Sequence, residues 1–182
     1  MPGDCGFSKG GPKDLWRRIK QLAKALFPRI DADDHEFVSR YCLPPLGMLF
    51  YQMDVVDQRH CIDVARTAHR MGRLAGLGTS LDILVPAALL HDVGKVRGDL
   101  SLWQRVLLSF YDGEGLERLM ARGGRLGAGA RVQLQHPRRG AHMAELFGAP
   151  APVVYLIRWH HDPSRAEENR LLAIMQAADE NN

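Results

Sequence analysis

Apolar residues recur at helical spacing along most of this chain, and from Pro45 onward they do not alternate as the residues of a half-buried strand would. Val56, His60, Val64, Ala68 and Met71 fall three to four positions apart, which predicts a helix to about Met71 with His60 on its inward stripe. The run Leu81 to Leu90 predicts a second helix, with Pro86 in its first turns or at its true start, because a proline deeper inside removes a hydrogen bond. Upstream, Asp14 to Phe27 sets Leu15, Ile19, Leu22 and Leu26 on one face with basic residues opposite, and Pro28 stops it. That stripe is expected to pack on the domain, with contact to a membrane surface as the alternative.

Residues 96 to 135 carry the weakest pattern. Helices are expected around Leu102 to Phe110 and over Leu116 to Met120, and the stretch Gly123 to Ala130 is expected to interrupt any longer one. Past it the signals sharpen. His136-Pro137 predicts a helix start with proline at the first position, ended by Gly148-Ala149-Pro150. Pro152 starts a helix with Val153, Leu156, Ile157 and His160 on one face, stopped by Asp162-Pro163, and a last helix aligns Leu172, Met175 and Asp179. The expected architecture is therefore all-α, with at least five core helices. Residues 1–44 form an N-terminal tail and accessory helix, and residues 45–182 form one domain.

Composition narrows the class without naming a function. The 182 residues are 46% hydrophobic and 25% charged, as in an ordinary soluble domain, and no apolar run approaches the roughly 20 residues that span a bilayer. The Gly-rich start lacks the apolar segment of a signal peptide and reads as a mobile tail. Three cysteines, Cys5, Cys42 and Cys61, form no Cys-x-x-Cys pair and are odd in number, which fits a reducing, cytoplasmic setting. A net charge of +3 leans toward small anionic partners and falls short of a nucleic-acid signature. Oligomeric state is open.

The chemistry lies in polar residues that interrupt the apolar stripes. His91-Asp92 closes the apolar run of the second helix, His60, His160 and Asp179 fall at inward positions of three others, and His136 and His161 complete the candidates. A single inward histidine is ordinarily satisfied by a backbone carbonyl. The whole set favours a cation, because buried polar groups that are costly one by one are stabilised together around a metal. Imidazole and carboxylate donors without thiolate suit Fe, Mn, Co, Ni or Zn at a hydrolytic centre. Lys95, four residues after His91, can face the same cavity as a charge for a phosphoryl group, while Arg138, Arg139 and Arg158 stand near the histidines as candidate substrate contacts.

The order of these residues resembles the HD-domain superfamily of metal-dependent phosphohydrolases, carried by His60 in RHCIDVARTAHRMG, His91 and Asp92 in ALLHDVGK, His136 in HPRRGAH, His160 in LIRWHHD and Asp179 in MQAADE. The wording is most similar to the HDIG-type and diadenosine-tetraphosphatase-like branches. The resemblance covers roughly residues 45 to 180. It implies an HD-domain helical bundle in which His60, His91, Asp92 and Asp179 hold a first ion. His136 and His160 hold a second, Asp92 bridges, and Asp92 and Lys95 take part in catalysis. It implies hydrolysis of a nucleotide or other phosphoester by a metal-activated hydroxide, with His161, Arg139 and Arg158 as possible second-layer or substrate groups. No Gly-Tyr-Pro follows His160-His161, and Val56 stands where the cyclic-di-GMP phosphodiesterase branch has a glutamate, so a third ion is not expected. The alternatives are a mixed-valence di-iron oxygenase of the same fold and a non-catalytic signalling module.

Overall fold

The structure, a computed structural model, describes residues 28–96 and 98–182, with the Leu102 side chain left aside. The expected helix Asp14 to Phe27 and the N-terminal tail lie outside these residues. Ten α-helices make up the described chain: α1 Ala32–Tyr41, α2 Leu46–Phe50, α3 Val55–Leu74, α4 Leu81–Leu90, α5 Leu102–Leu108, α6 Gly113–Arg122, α7 Gly124–Leu146, α8 Ala151–Trp159, α9 Pro163–Ala166 and α10 Arg170–Glu180. Extended pairing among the described residues is confined to one bridge between Met53 and Val96. No helix among them is long and apolar enough to cross a membrane. The all-α expectation holds.

The main core sits where α3 packs on α4 and α10, and α8 on α4 and α7. Ile62, Leu84, Leu89, Leu90, Leu156, Ile157, Leu172 and Met175 are buried there. Helix α1, which no sequence signal marked, joins the same core through Val38 and Cys42. It starts with a capping box, in which Asp34 N–H donates to Asp31 (2.9 Å) and Asp31 N–H to Asp34 (3.3 Å). Its stripe is short, and much of its anchorage is electrostatic: the Asp34 carboxylate is buried and paired with Arg59 and Arg66.

A smaller core of Leu100, Leu108, Leu116, Leu119 and Ala130 lies under α5, α6 and the first half of α7. Here two expectations are corrected. The glycine-rich stretch continues α7 instead of breaking it, and His136-Pro137 lies inside that 23-residue helix rather than at its start. Close packing supplies the reason. A Cβ at Gly127 would lie 2.7 Å from the Leu119 carbonyl, and one at Gly129 would meet Leu108, Gln104 and Leu100, so the absence of side chains lets α7 lie against α6 and α5. Gln104 also donates to the Arg125 carbonyl (2.9 Å). Pro86 sits in the second turn of α4, which starts five residues earlier at Leu81; the carbonyl that loses its helical partner there belongs to Asp82, an exposed residue.

Candidate metal centre

Five helices deliver the candidate donors to one place. His60 comes from the middle of α3, Asp179 from the end of α10, His136 from α7, and His91, Asp92 and His160 from just past the ends of α4 and α8. His60 Nε2 lies 3.0 Å from Asp179 Oδ1 and 3.9 Å from Asp92 Oδ2. His91 Nε2 lies 3.8 Å from Asp92 Oδ2 and 3.7 Å from Asp179 Oδ1. On the other side of Asp92, Oδ1 lies 3.1 Å from His136 Nε2, which in turn is 3.2 Å from His160 Nε2. Asp92 thus touches both halves of the constellation with different oxygens. His60 is less inward than its stripe implied, with its side chain about a third exposed, 32%.

Glycines set the separation of the halves. A Cβ at Gly94 would fall 2.1 Å from the His136 carbonyl oxygen and 2.7 Å from the Gly140 nitrogen, so the turn after α4 touches α7 backbone to backbone. No bulkier residue fits there, and the contact is what brings Asp92 to His136.

Hydrogen bonding orients three of the rings. Nδ1 of His91, His136 and His160 each donates to the carbonyl three residues earlier: Ala88 (2.8 Å), Gln133 (2.7 Å) and Ile157 (2.7 Å). A carbonyl can only accept, so the proton sits on Nδ1 and Nε2 is turned inward. Those carbonyls are available because α4 ends at Leu90 and α8 at Trp159, while Pro137 has no N–H to offer Gln133.

The electrostatics then become unfavourable for a centre without a cation. Burial first, then the Lys95 charge, pushes His136 down to about 4, so its ring is neutral at physiological pH. Burial and the neighbouring His161 hold His160 well below the ordinary histidine range. Two Nε2 lone pairs and a carboxylate oxygen therefore face one another. His91 Nε2 is buried with no hydrogen-bond partner. Burial would raise Asp92, but the Lys95 charge beside it holds it well below the carboxylate range. Burial opposes ionisation at Asp179 too, and the hydrogen bond from His60 overrides it. His60 is raised in return, against its own burial.

Among the described residues, three groups have donor atoms close enough to share an ion: His60, His91 and Asp179; His136, His160 and His161; and Cys61, His91 and Asp92. The first two fit the inward Nε2 atoms. The third does not, because Cys61 Sγ faces His91 Nδ1 (3.6 Å), which is committed to Ala88, and burial keeps that thiol protonated. His161, with its ring 4.0 Å from that of His160, is brought to the centre more closely than the sequence indicated.

Lys95 reaches the Asp92 carboxylate at 2.8 Å and lines a cavity of about 250 Å³ together with His60 and Asp92. A second cavity of about 190 Å³ opens on the other side, at His160, His161 and Asp179. Neither is lined by the other arginines expected here: Arg139 pairs with Asp99 (3.0 Å), and Arg138 and Arg158 are exposed. The larger cavity instead has Arg59, Arg105 and Asp57, which sequence reasoning missed. Arg105 pairs with Asp54 (3.0 Å) and with the buried Asp57. Asp57 lies one turn before His60 and so shares its face of α3, a signal that was there to find. Its Oδ2 is buried without a hydrogen-bond partner, an arrangement that costs about 1–3 kcal/mol. Burial and the nearby Asp92 push the Asp57 carboxyl up.

The sequence model of the HD domain matches residues 58–180, and the chain belongs to the HD domain family. HD domains bind divalent metals and are commonly metal-dependent hydrolases. No curated protein and no solved structure gives a significant match.

Proposed function

We propose that the chain is a metal-dependent phosphohydrolase acting on a small anionic phosphoester. One observation carries this: inward Nε2 atoms from three carbonyl-anchored histidines converge on Asp92, including a buried one with no partner and two that face each other at 3.2 Å. In this reading His60, His91, Asp92 and Asp179 hold one divalent transition ion, and His136 and His160 hold a second, with Asp92 shared. His161 supports the second group from its open side. Donors of this kind suit Fe, Mn, Co, Ni or Zn. When bound, such ions supply Lewis acidity and a water of lowered pKa.

The remaining work falls to the protein. Asp92 orients both halves of the centre through its two oxygens. Lys95 is kept charged, since the Asp92 carboxylate raises its pKa against burial, and its ammonium lies at the cavity wall where phosphoryl charge would develop. The test is metal analysis of the purified protein, followed by chelation, reloading and a phosphoester panel. One to two ions per chain and metal-dependent phosphate release are expected. A protein that takes up no ion, or that binds ions and hydrolyses no ester, would contradict the proposal.

A further inference from the structure

The described chain begins at Pro28, and its first residues are anchored. Arg59 on α3 donates to the Arg29 carbonyl (3.2 Å), and Ile30 packs against the main core. An apolar surface adjoins that point from two sides. Val55, 40% exposed, lies one turn before Arg59 and shares its face of α3. Tyr51, 42% exposed, reaches His35 near the start of α1, with Oη 3.0 Å from Nδ1. Met48, 61% exposed and three residues before Tyr51, extends the surface along α2. Asp33 and Glu36 of α1 are exposed and form no ion pair among the described residues, so the border of this surface is acidic.

The chain upstream of Pro28 carries a complementary pattern. Leu15, Ile19, Leu22 and Leu26 form its apolar stripe, and Arg18, three residues after Leu15 and four before Leu22, borders that stripe with positive charge. As a helix, residues 14–27 would measure about 21 Å, and the stripe ends three residues before the anchored Arg29. Other exposed apolar groups are less well placed for it. Leu74 lies fifteen residues beyond Arg59 along α3, about 22 Å away. Trp103 and Leu107 each stand two residues from Arg105, on the side of α5 turned away from the larger cavity that Arg105 lines.

We propose that residues 14–27 dock their leucine stripe on the surface of Met48, Tyr51 and Val55, with Arg18 toward Asp33 and Glu36. Removal of both apolar faces from water drives the contact, and the short tether to Arg29 favours it over a partner from solution. Arg59 also lines the larger cavity, so the docked segment borders the mouth of that cavity.

The test is limited trypsin digestion of the full chain, with mass spectrometry reading cleavage after Arg17, Arg18, Lys20 and Lys24. In the Met48→Ser/Val55→Ser double variant, changed only at exposed positions, these cuts are expected to come about tenfold faster than in the parent, with an unchanged urea midpoint for the bundle. Leu22→Ser is expected to release the segment to a similar extent, and combining it with the double variant should add little, as for two sides of one contact. Asp33→Lys/Glu36→Lys is expected to speed the cuts about threefold, and it decides the matter if the serine variant does not fold. Cleavage as fast in the parent as in the serine variant, or release by Leu22→Ser alone, would overturn the proposal. Two further outcomes would assign the surface to another occupant and overturn it equally: a parent dimer that the serine variant abolishes, and sedimentation of the parent with phosphatidylserine vesicles that the serine variant abolishes.

Discussion

In the main bundle Leu84, Leu89, Leu90 and Ile157 are fully buried, whereas in the smaller cluster Leu116 and Leu119 keep 7% and 9% of their surface and Trp103 on α5 keeps 82%. The attachments differ as well. Helices α3, α4, α8 and α10 meet through interlocking apolar faces, but α5 is tied to α3 by Arg105 and to α7 by Gln104. All six proposed ion donors are anchored on the bundle or on the part of α7 that packs against it. Part of the cavity wall belongs to the smaller cluster. The comparison teaches that the proposed ion site and the cavity beside it rest on parts packed to different degrees, and mutations should separate them.

The largest effect is expected from Asp92→Ala, which removes the carboxylate that reaches both halves of the centre. Metal content should fall, and phosphoester turnover should drop to background; a variant that kept both would break the two-ion scheme. Next comes Gly94→Ala, where a methyl group would run into the His136 carbonyl. A loss of about 3 kcal/mol in urea unfolding is expected, together with weakened metal binding.

Lys95→Ala should retain metal and lose activity by about a hundredfold, because it removes a charge stabiliser and no proposed donor. Loss of metal there would show that the Lys95–Asp92 pair builds the centre. Leu108→Ala, in the smaller cluster, should destabilise by about 2–5 kcal/mol in chemical unfolding. It should raise KM while metal content stays at the parent level. An equal loss of metal would show that the two regions fold as one unit.

The smallest effect concerns pH in the metal-free protein. His136 has a folded pKa of about 4 against an ordinary value near 6.5. As pH falls through that window the unfolded chain takes up a proton that the folded chain refuses, so stability is lost there and is unaffected above it. His60 is raised and acts in the opposite sense, its contribution being full below about 6.5 and fading at higher pH. Urea midpoints of His136→Gln, compared with the parent in chelator, should therefore fall less between pH 7 and pH 4.5.

Helix positions in the bundle were legible because their apolar periodicity is itself the packing surface, and the inward histidines stood out against it. The smaller cluster was legible only in part: helices near Leu102 and Leu116 were expected and are present, but the continuation of α7 through its glycines was not foreseen. Gly127 and Gly129 favour breaking a helix when considered locally, and only the surfaces of α5 and α6, distant in sequence, make them an asset. Arg105 escaped for the same reason, since its partner Asp57 lies 48 residues away in sequence. Arg139 and Arg158 show the converse, since closeness in sequence to a histidine does not place an arginine beside the centre.

The unfinished helical hydrogen bonds at Ala88, Gln133 and Ile157 bear on how the protein would acquire its ions. In small zinc-dependent domains the ligands meet only when metal arrives, so uptake and folding are one event. Here carbonyls that the ends of two helices and one proline leave open hold three of the rings through bonds in which no ion takes part. The expectation is that a chelator strips any bound ion and leaves a folded protein that can be refilled.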